Sequence, residues 1–192
     1  MRIVSVLIFA AVVGCGGGDS SKSPGSATFG GSVRGNSFTP RDAISGVVSF
    51  NTNGVHGQTA FIAITSAPAL CSGLTADKQP RSSEYLFLAP FKVQPDFSAI
   101  PPPSPGTYQV GALTIENGAA LFSTTDASCG VVAANTLAAS SGTITLTAVG
   151  TRYTGSYQLF FDSGDSVSGT FDAPVCGGVD IAALQAGTVA CQ

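Results

Sequence analysis

An all-β domain, an antiparallel β-sandwich of jelly-roll or immunoglobulin-like type, is predicted by three features of this 192-residue chain. Apolar residues alternate with Ser and Thr in its clearest segments, as half-buried strands require. Gly, Pro, Asn-Gly and Ser-Gly pairs punctuate the chain at short intervals, as turns do. Charged residues are only 10 % of the chain while 44 % are hydrophobic, against about 25 % charged in a typical globular protein. Such a chain has a core to bury and builds its surface from Ser, Thr, Gly and Asn.

The N-terminus is set apart from that domain. Arg2 precedes a short apolar run from Ile3 to Val13, followed by Gly14-Cys15-Gly16-Gly17-Gly18. A charged start, a short apolar middle and a small-residue cleavage site make a secretory signal; the run is shorter than the roughly 20 residues that span a bilayer. Val12-Val13-Gly14-Cys15 resembles the lipobox of bacterial lipoproteins, with Val12 in place of the commoner Leu. The resemblance implies cleavage after Gly14 and acylation of Cys15, and several acyl chains, at about 0.8 kcal/mol per buried CH₂, hold firmly where one holds weakly. Gly16 stands where an Asp retains such lipoproteins in the inner membrane, so the outer membrane is expected. The chain therefore divides into a signal peptide (1–14), a lipidated cysteine with a Gly/Ser-rich tether (15–26) that reaches roughly 18 Å, and one β-domain (27–192).

Within the domain, Ala27–Val33, Ser37–Thr39 and Ala43–Phe50 read as extended segments, with Ile44, Gly46, Val48 and Phe50 on one face. Asn51 to Gln58 reads as a loop before a strand at Thr59–Thr65, where Ile62 and Ile64 oppose Phe61. Ala67–Asp77 is a short helix candidate. Tyr85–Ala89 is apolar on both faces, as in a central strand. Tyr108–Gly111 and Ala119–Thr124 are shorter strands flanking Asn117-Gly118. Thr143–Ala148, Arg152–Phe161 and Ser166–Asp172 form a three-stranded meander, turning at Gly150-Thr151 and at Asp162-Ser163-Gly164-Asp165. Val179–Leu184 reads as a second helical turn.

Four cysteines besides Cys15 remain: Cys71, Cys129, Cys176 and Cys191. An even number in an exported domain reads as two disulfides. Of three connectivities, Cys176–Cys191 with Cys71–Cys129 is preferred, because the first closes a short loop; the chain-entropy model gives about 3 and about 4 kcal/mol for the two. No metal is expected: there is no CxxC, and His56 is the sole histidine.

Catalytic chemistry is not legible. Gly164-Asp165-Ser166 falls in a hairpin turn with no histidine after it, and no nucleophile elbow occurs. Asp162, Asp165 and Asp172 sit at hairpin ends, where Asp bonds to nearby amides; the first two alone make a poor calcium site. A net charge of −3 with eight Lys and Arg leaves no basic track, which excludes nucleic acid as a partner. No cofactor is implied. The long proline-rich connection from Pro90 to Pro105 keeps Phe91, Phe97 and Ile100 in an irregular stretch, the best candidate contact loop.

Two blocks, Gly35-Asn36-Ser37-Phe38-Thr39-Pro40-Arg41-Asp42-Ala43 and Gly155-Ser156-Tyr157-Gln158-Leu159 through Ser168-Gly169-Thr170-Phe171-Asp172-Ala173-Pro174-Val175-Cys176, resemble predicted lipoproteins of unknown function in Gram-negative bacteria. The resemblance implies export and a β-fold and carries over no catalytic residue. The expected function is a lipid-anchored, non-catalytic envelope module, bilayer-bound through Cys15 and meeting an envelope protein or polysaccharide. A subunit of an outer-membrane assembly and a hydrolase with a dispersed site are the alternatives.

Overall fold

The computed structural model describes residues 24–52, 55–94, 99–112, 114–179 and 190–191, excluding the side chains of residues 50–56. The fold is all-β with two disulfides, as expected. Its strands are β1 (Ser26–Ala27), β2 (Gly30–Gly31), β3 (Asp42–Thr52), β4 (Val55–Thr65), β5 (Lys78–Gln79), β6 (Glu84–Lys92), β7 (Ala99–Ile100), β8 (Gly106–Val110), β9 (Glu116–Thr124), β10 (Leu137–Ala148), β11 (Arg152–Phe161), β12 (Ser166–Pro174) and β13 (Ala190–Cys191). Among the described residues, one α-helix, α1 (Leu70–Thr75), lies between β4 and β5, and a 3-10 turn, Ala133–Asn135, precedes β10.

The pairing gives one large sheet and a separate two-stranded one, β13-β5. Eleven strands form the large sheet, ordered β1-β12-β11-β10-β8-β9-β6-β4-β3, with β2 on β12 and β7 on β4. The sheet curls until its far ends meet: Ser45 bridges Val175, the Cys176 amide donates to the Ser45 carbonyl at 2.7 Å, and Ser45 Oγ donates to the Ala173 carbonyl at 2.8 Å. Wrapped in this way it encloses one core. Ala60, Ile62 and Ile64 of β4 meet Leu86 and Leu88 of β6, Phe122 of β9, Ile144 and Leu146 of β10, Tyr157 and Leu159 of β11 and Phe171 of β12. Burying each large side chain contributes about 1.5–3 kcal/mol.

The predicted meander β10–β11–β12 is present in antiparallel register, with Ile144, Leu146, Tyr153, Tyr157, Leu159, Phe161, Val167 and Phe171 buried. Ala148, expected beside Ile144 and Leu146, is exposed. Strand β10 is shared along one edge: its start, Leu137–Ala138, pairs with β9, and Gly142–Leu146 pairs with β8. The handover needs glycine. Gly111 has φ +79°, and a Cβ there would stand 1.9 Å from the Ser140 carbonyl oxygen.

Several boundaries differ from the sequence reading. Residues 51–52 and 55–58 are strand rather than loop, because β3 and β4 stay paired from Asp42↔Thr65 to Thr52↔Val55. Asn117-Gly118 lies inside β9 rather than at a turn, with Gly118 beneath Ile144 and Val110. Ser37–Thr39 is not a strand. Phe38 instead packs on Phe29 with ring centroids 4.4 Å apart, and both rings lean on Phe122 at the edge of the core. Only Val179 of the second helix candidate is described.

A second, smaller cluster covers the outer face where β3, β4 and β6 run together. Leu70 and Leu74 of α1 pack on Ile44, Ala63 and Tyr85, with Cys176 beside them. There Cys71 bonds Cys176, and Cys129 bonds Cys191. The preferred pairing is thereby corrected. Loop length favoured the nearest cysteines in sequence, but topology decides which Cα atoms meet. Sheet closure brings the end of β12 under α1, and β13 runs parallel to β5, Cys191 opposite Gln79, carrying the tail away from Cys176. The bridges span 105 and 62 residues, worth about 4–5 kcal/mol each in the chain-entropy model.

Candidate functional site

Gly14, Cys15 and Phe97 lie outside the described residues. Phe91 and Ile100 belong to strands: Phe91 sits in β6 opposite Asn117, Ile100 in β7 opposite Gly57, and both are half-buried. The described part of the proline-rich stretch folds back on the domain. Pro103 is buried, and the buried Tyr108 hydroxyl donates to the Ser104 carbonyl at 2.6 Å while accepting the Ser104 amide at 3.1 Å. A tyrosine clamp of this kind satisfies a strap that has no strand ladder of its own.

The Asp162–Asp165 segment is a hairpin turn, as read from sequence. Asp165 Oδ2 accepts from Ser163 Oγ at 2.6 Å and from the Arg34 amide at 2.9 Å. These two bonds, the hydroxyl first, hold its carboxyl below the usual range. Asp172 pairs with Arg152 at 2.7 Å. The backbone of His56 lies in β4. All four tyrosines are buried, which leaves no tyrosine platform for stacking a sugar.

The described cavity that gathers charged and polar side chains lies elsewhere, at the rim where β3 begins, β4 ends and β6 begins. It is an open cleft of about 590 Å³. One wall is the β4–α1 connection with Ser66, Ala67, Pro68 and Ala69, continued by Ser72; the other is Pro80–Ser83; Arg41 and Arg81 both line it. Its walls are tied together by backbone bonds. The Arg41 amide donates to the Thr65 carbonyl at 2.8 Å, the Ser66 amide to the Glu84 carbonyl at 3.2 Å, and the Ser82 amide to the Asp126 carbonyl at 2.9 Å.

Two carboxylates near the cleft are committed to the fold. Asp42 is buried; its Oδ1 accepts the Ala43 amide and its Oδ2 the Leu70 amide, each at 2.8 Å, which fixes the start of α1 to β3. Glu84 Oε2 accepts from Ser66 Oγ at 2.5 Å, and Ser66 Oγ accepts the Glu84 amide at 3.0 Å. Ala69 and Ser82, one on each wall, hold left-handed backbone at φ 56° and 47°. That conformation costs a residue with a Cβ about 1–2 kcal/mol.

Ser66 of the cleft lining pairs with Glu84. The hydroxyl is aimed at a carboxylate, but the lining holds no histidine to carry a proton onward. The lining combines two arginines with Ser, Ala and Pro side chains. Among the described residues no three His, Cys, Asp or Glu side chains group to hold a metal.

No protein-family model matches this chain, and neither does any curated protein or solved structure. Sequence reading placed Arg41 only inside a resemblance block and passed over Arg81. They lie 40 positions apart in sequence, and pairing of β4 with both β3 and β6 is what joins them.

Proposed function

We propose that this chain is a cell-envelope lipoprotein, held to the membrane, most simply the outer membrane, by an acylated Cys15, and that its β-domain is a non-catalytic binding module. The Val12-to-Gly18 sequence supports the anchor, and two disulfides fit an oxidising compartment. The observation that carries the binding reading is the open cleft lined by Arg41, Arg81 and small side chains, beside which Asp42 and Glu84 are hydrogen-bonded within the fold. An envelope protein or polysaccharide is the partner class.

The assembly-subunit reading has its own support. Phe87 and Leu121 face each other across β6 and β9, 38 % and 37 % exposed. An apolar pair on a sheet face is a contact that a second subunit could cover.

The test is isolation of the native lipidated protein after mild cross-linking. A co-purifying glycan lost from Arg41→Gln supports the cleft reading. A stoichiometric protein partner lost from Phe87→Ser with Leu121→Ser supports the assembly subunit. Cys15→Ser that still fractionates with membranes and takes up labelled fatty acid overturns the anchor.

A further inference from the structure

We infer that the chain forms a two-fold dimer by pairing the outer edge of β3 with the same edge of a second copy. The contact is made by backbone and owes nothing to the cleft, the membrane anchor or the Phe87–Leu121 face.

The sheet leaves this edge open. The strand order ends at β3, and beyond Ser45 no described strand pairs with its outer side. Ser45 turns its carbonyl away from β4, toward the Cys176 amide at 2.7 Å. Alternate residues of a strand present their backbone groups on the same side, and the β3–β4 register runs without a shift to Thr52↔Val55. Val47, Ser49 and Asn51 therefore aim their N–H and C=O groups outward. Val47 is 44 % exposed, and Ser49 is exposed as well.

An edge of this kind is ordinarily blunted by a charge, a proline, a bulge, short length or a covering segment. Strand β3 has 11 residues, its register has no bulge, and no residue from Ala43 to Val55 is charged or proline. Val47, Val48, Phe50 and Thr52 are residue types that favour strands. The other end of the sheet makes the contrast. There β12 is covered by β1 at Phe171 and Asp172, and by β2 at Val167 and Ser168.

The occupant that answers this edge along its whole length is a second copy. The open stretch begins at Gly46, just past the Ser45 closure, and ends at Thr52, the last residue of β3, with Ser49 at its centre. Antiparallel pairing about a two-fold axis at Ser49 sets Gly46 opposite Thr52, Val47 opposite Asn51, and Ser49 opposite itself. Each outward-facing pair then exchanges both of its N–H···O bonds. Main-chain bonds of this type supply the affinity of strand addition. An uncharged edge meets itself without repulsion. The interface is isologous, and the covered far end of the sheet stops the assembly at two.

The experiment measures the mass of the full lipidated chain in detergent, by sedimentation equilibrium at matched density over a dilution series. A dimer is expected. Ser49→Lys and Ser49→Glu each set like charges opposite each other at the axis, and each is expected to weaken the dimer about tenfold or more. Both variants also lose the exposed 3.2 Å bond from Gln58 to Ser49 Oγ. Mixing the two makes the opposed charges unlike and is expected to restore the dimer, which an unfolded variant could not do. A monomer at every concentration overturns the inference; protection of its Val47 and Ser49 amides from hydrogen exchange would show another segment of the chain on the edge. A dimer indifferent to Ser49→Lys overturns it too, and loss from Phe87→Ser with Leu121→Ser would move the contact to the sheet face. Single variants that lose the dimer without recovery on mixing overturn pairing about Ser49.

Discussion

Asp42 joins the first long strand to the helix: its Oδ2 accepts the Leu70 amide at 2.8 Å while its Oδ1 accepts the Ala43 amide at the same distance. Both bonds are buried, so no water replaces them. Asp42→Ala leaves two buried amides unanswered and is expected to cost about 2–4 kcal/mol. Asp42→Asn keeps one acceptor oxygen and should lose about half of that. Urea unfolding midpoints at unchanged slope measure both. If Asp42→Ala lowers stability no more than a surface substitution does, the helix is not held in this way.

The cysteine pairing is open to a direct chemical check. Trypsin under non-reducing conditions leaves Cys71 in residues 42–78, Cys129 in 93–152 and both remaining cysteines in 153–192. Cys71–Cys176 with Cys129–Cys191 joins all three peptides, whereas pairing each cysteine with its sequence neighbour releases 153–192 alone. Further cleavage before Asp180 separates Cys176 from Cys191 and distinguishes the remaining alternative. Removing Cys71 and Cys176 together should cost about 4–5 kcal/mol. It should also weaken any ligand held against Ser72, because α1 is a wall of the cleft.

Gly155 separates steric from conformational demands on glycine. It faces Leu146 across β10 and β11, where an added Cβ would stand 1.9 Å from the Thr145 carbonyl oxygen and 2.8 Å from Phe171. Backbone must move to admit it, so Gly155→Ala should cost about 3 kcal/mol or more. Gly164 in the β11–β12 turn has φ +86° with open space around it. There Gly164→Ala should cost only the left-handed penalty of about 1–2 kcal/mol. Thermal midpoints of the two variants compare these costs.

The strands were legible where one face is wet. Thr143 to Ala148 and Arg152 to Phe161 alternate cleanly because Thr and Ser meet water while Ile144, Leu146, Tyr157 and Leu159 meet the core. Legibility failed where a strand is covered on both sides or carries a residue common in turns. Asn117 is buried in β9 because its amide group satisfies the Thr114 backbone from within the strand, and period-two alternation carries no trace of that. Sheet closure, the disulfide pairing and the cleft are all long-range. Ser45 meets Cys176 across 131 positions, and no local pattern encodes the meeting. Arg41 and Arg81 were hidden for the same reason, each an ordinary polar residue before a strand.

Buried tyrosines set the alkaline limit of the fold. Burial pushes the Tyr85 hydroxyl up to about 12, partly offset by hydrogen bonds with Ser83, Thr65 and Thr125, and burial raises Tyr157 and Tyr153 as well. An unfolded tyrosine ionises near pH 10, at about its model-peptide value. Between pH 10 and the raised folded values, the native state holds protons that the unfolded state has lost. Stability from this source is complete below about pH 10 and declines as pH rises through 12. Tyrosinate absorbance should therefore grow together with loss of strand circular dichroism, not ahead of it. Tyr157→Phe removes one such group along with the 2.8 Å bond from its hydroxyl to the Thr28 carbonyl. It should be about 1 kcal/mol less stable at neutral pH yet lose stability more slowly above pH 10, so the two stability curves converge. Tyrosinate signals that saturate near pH 10 with the fold intact would remove burial as the cause.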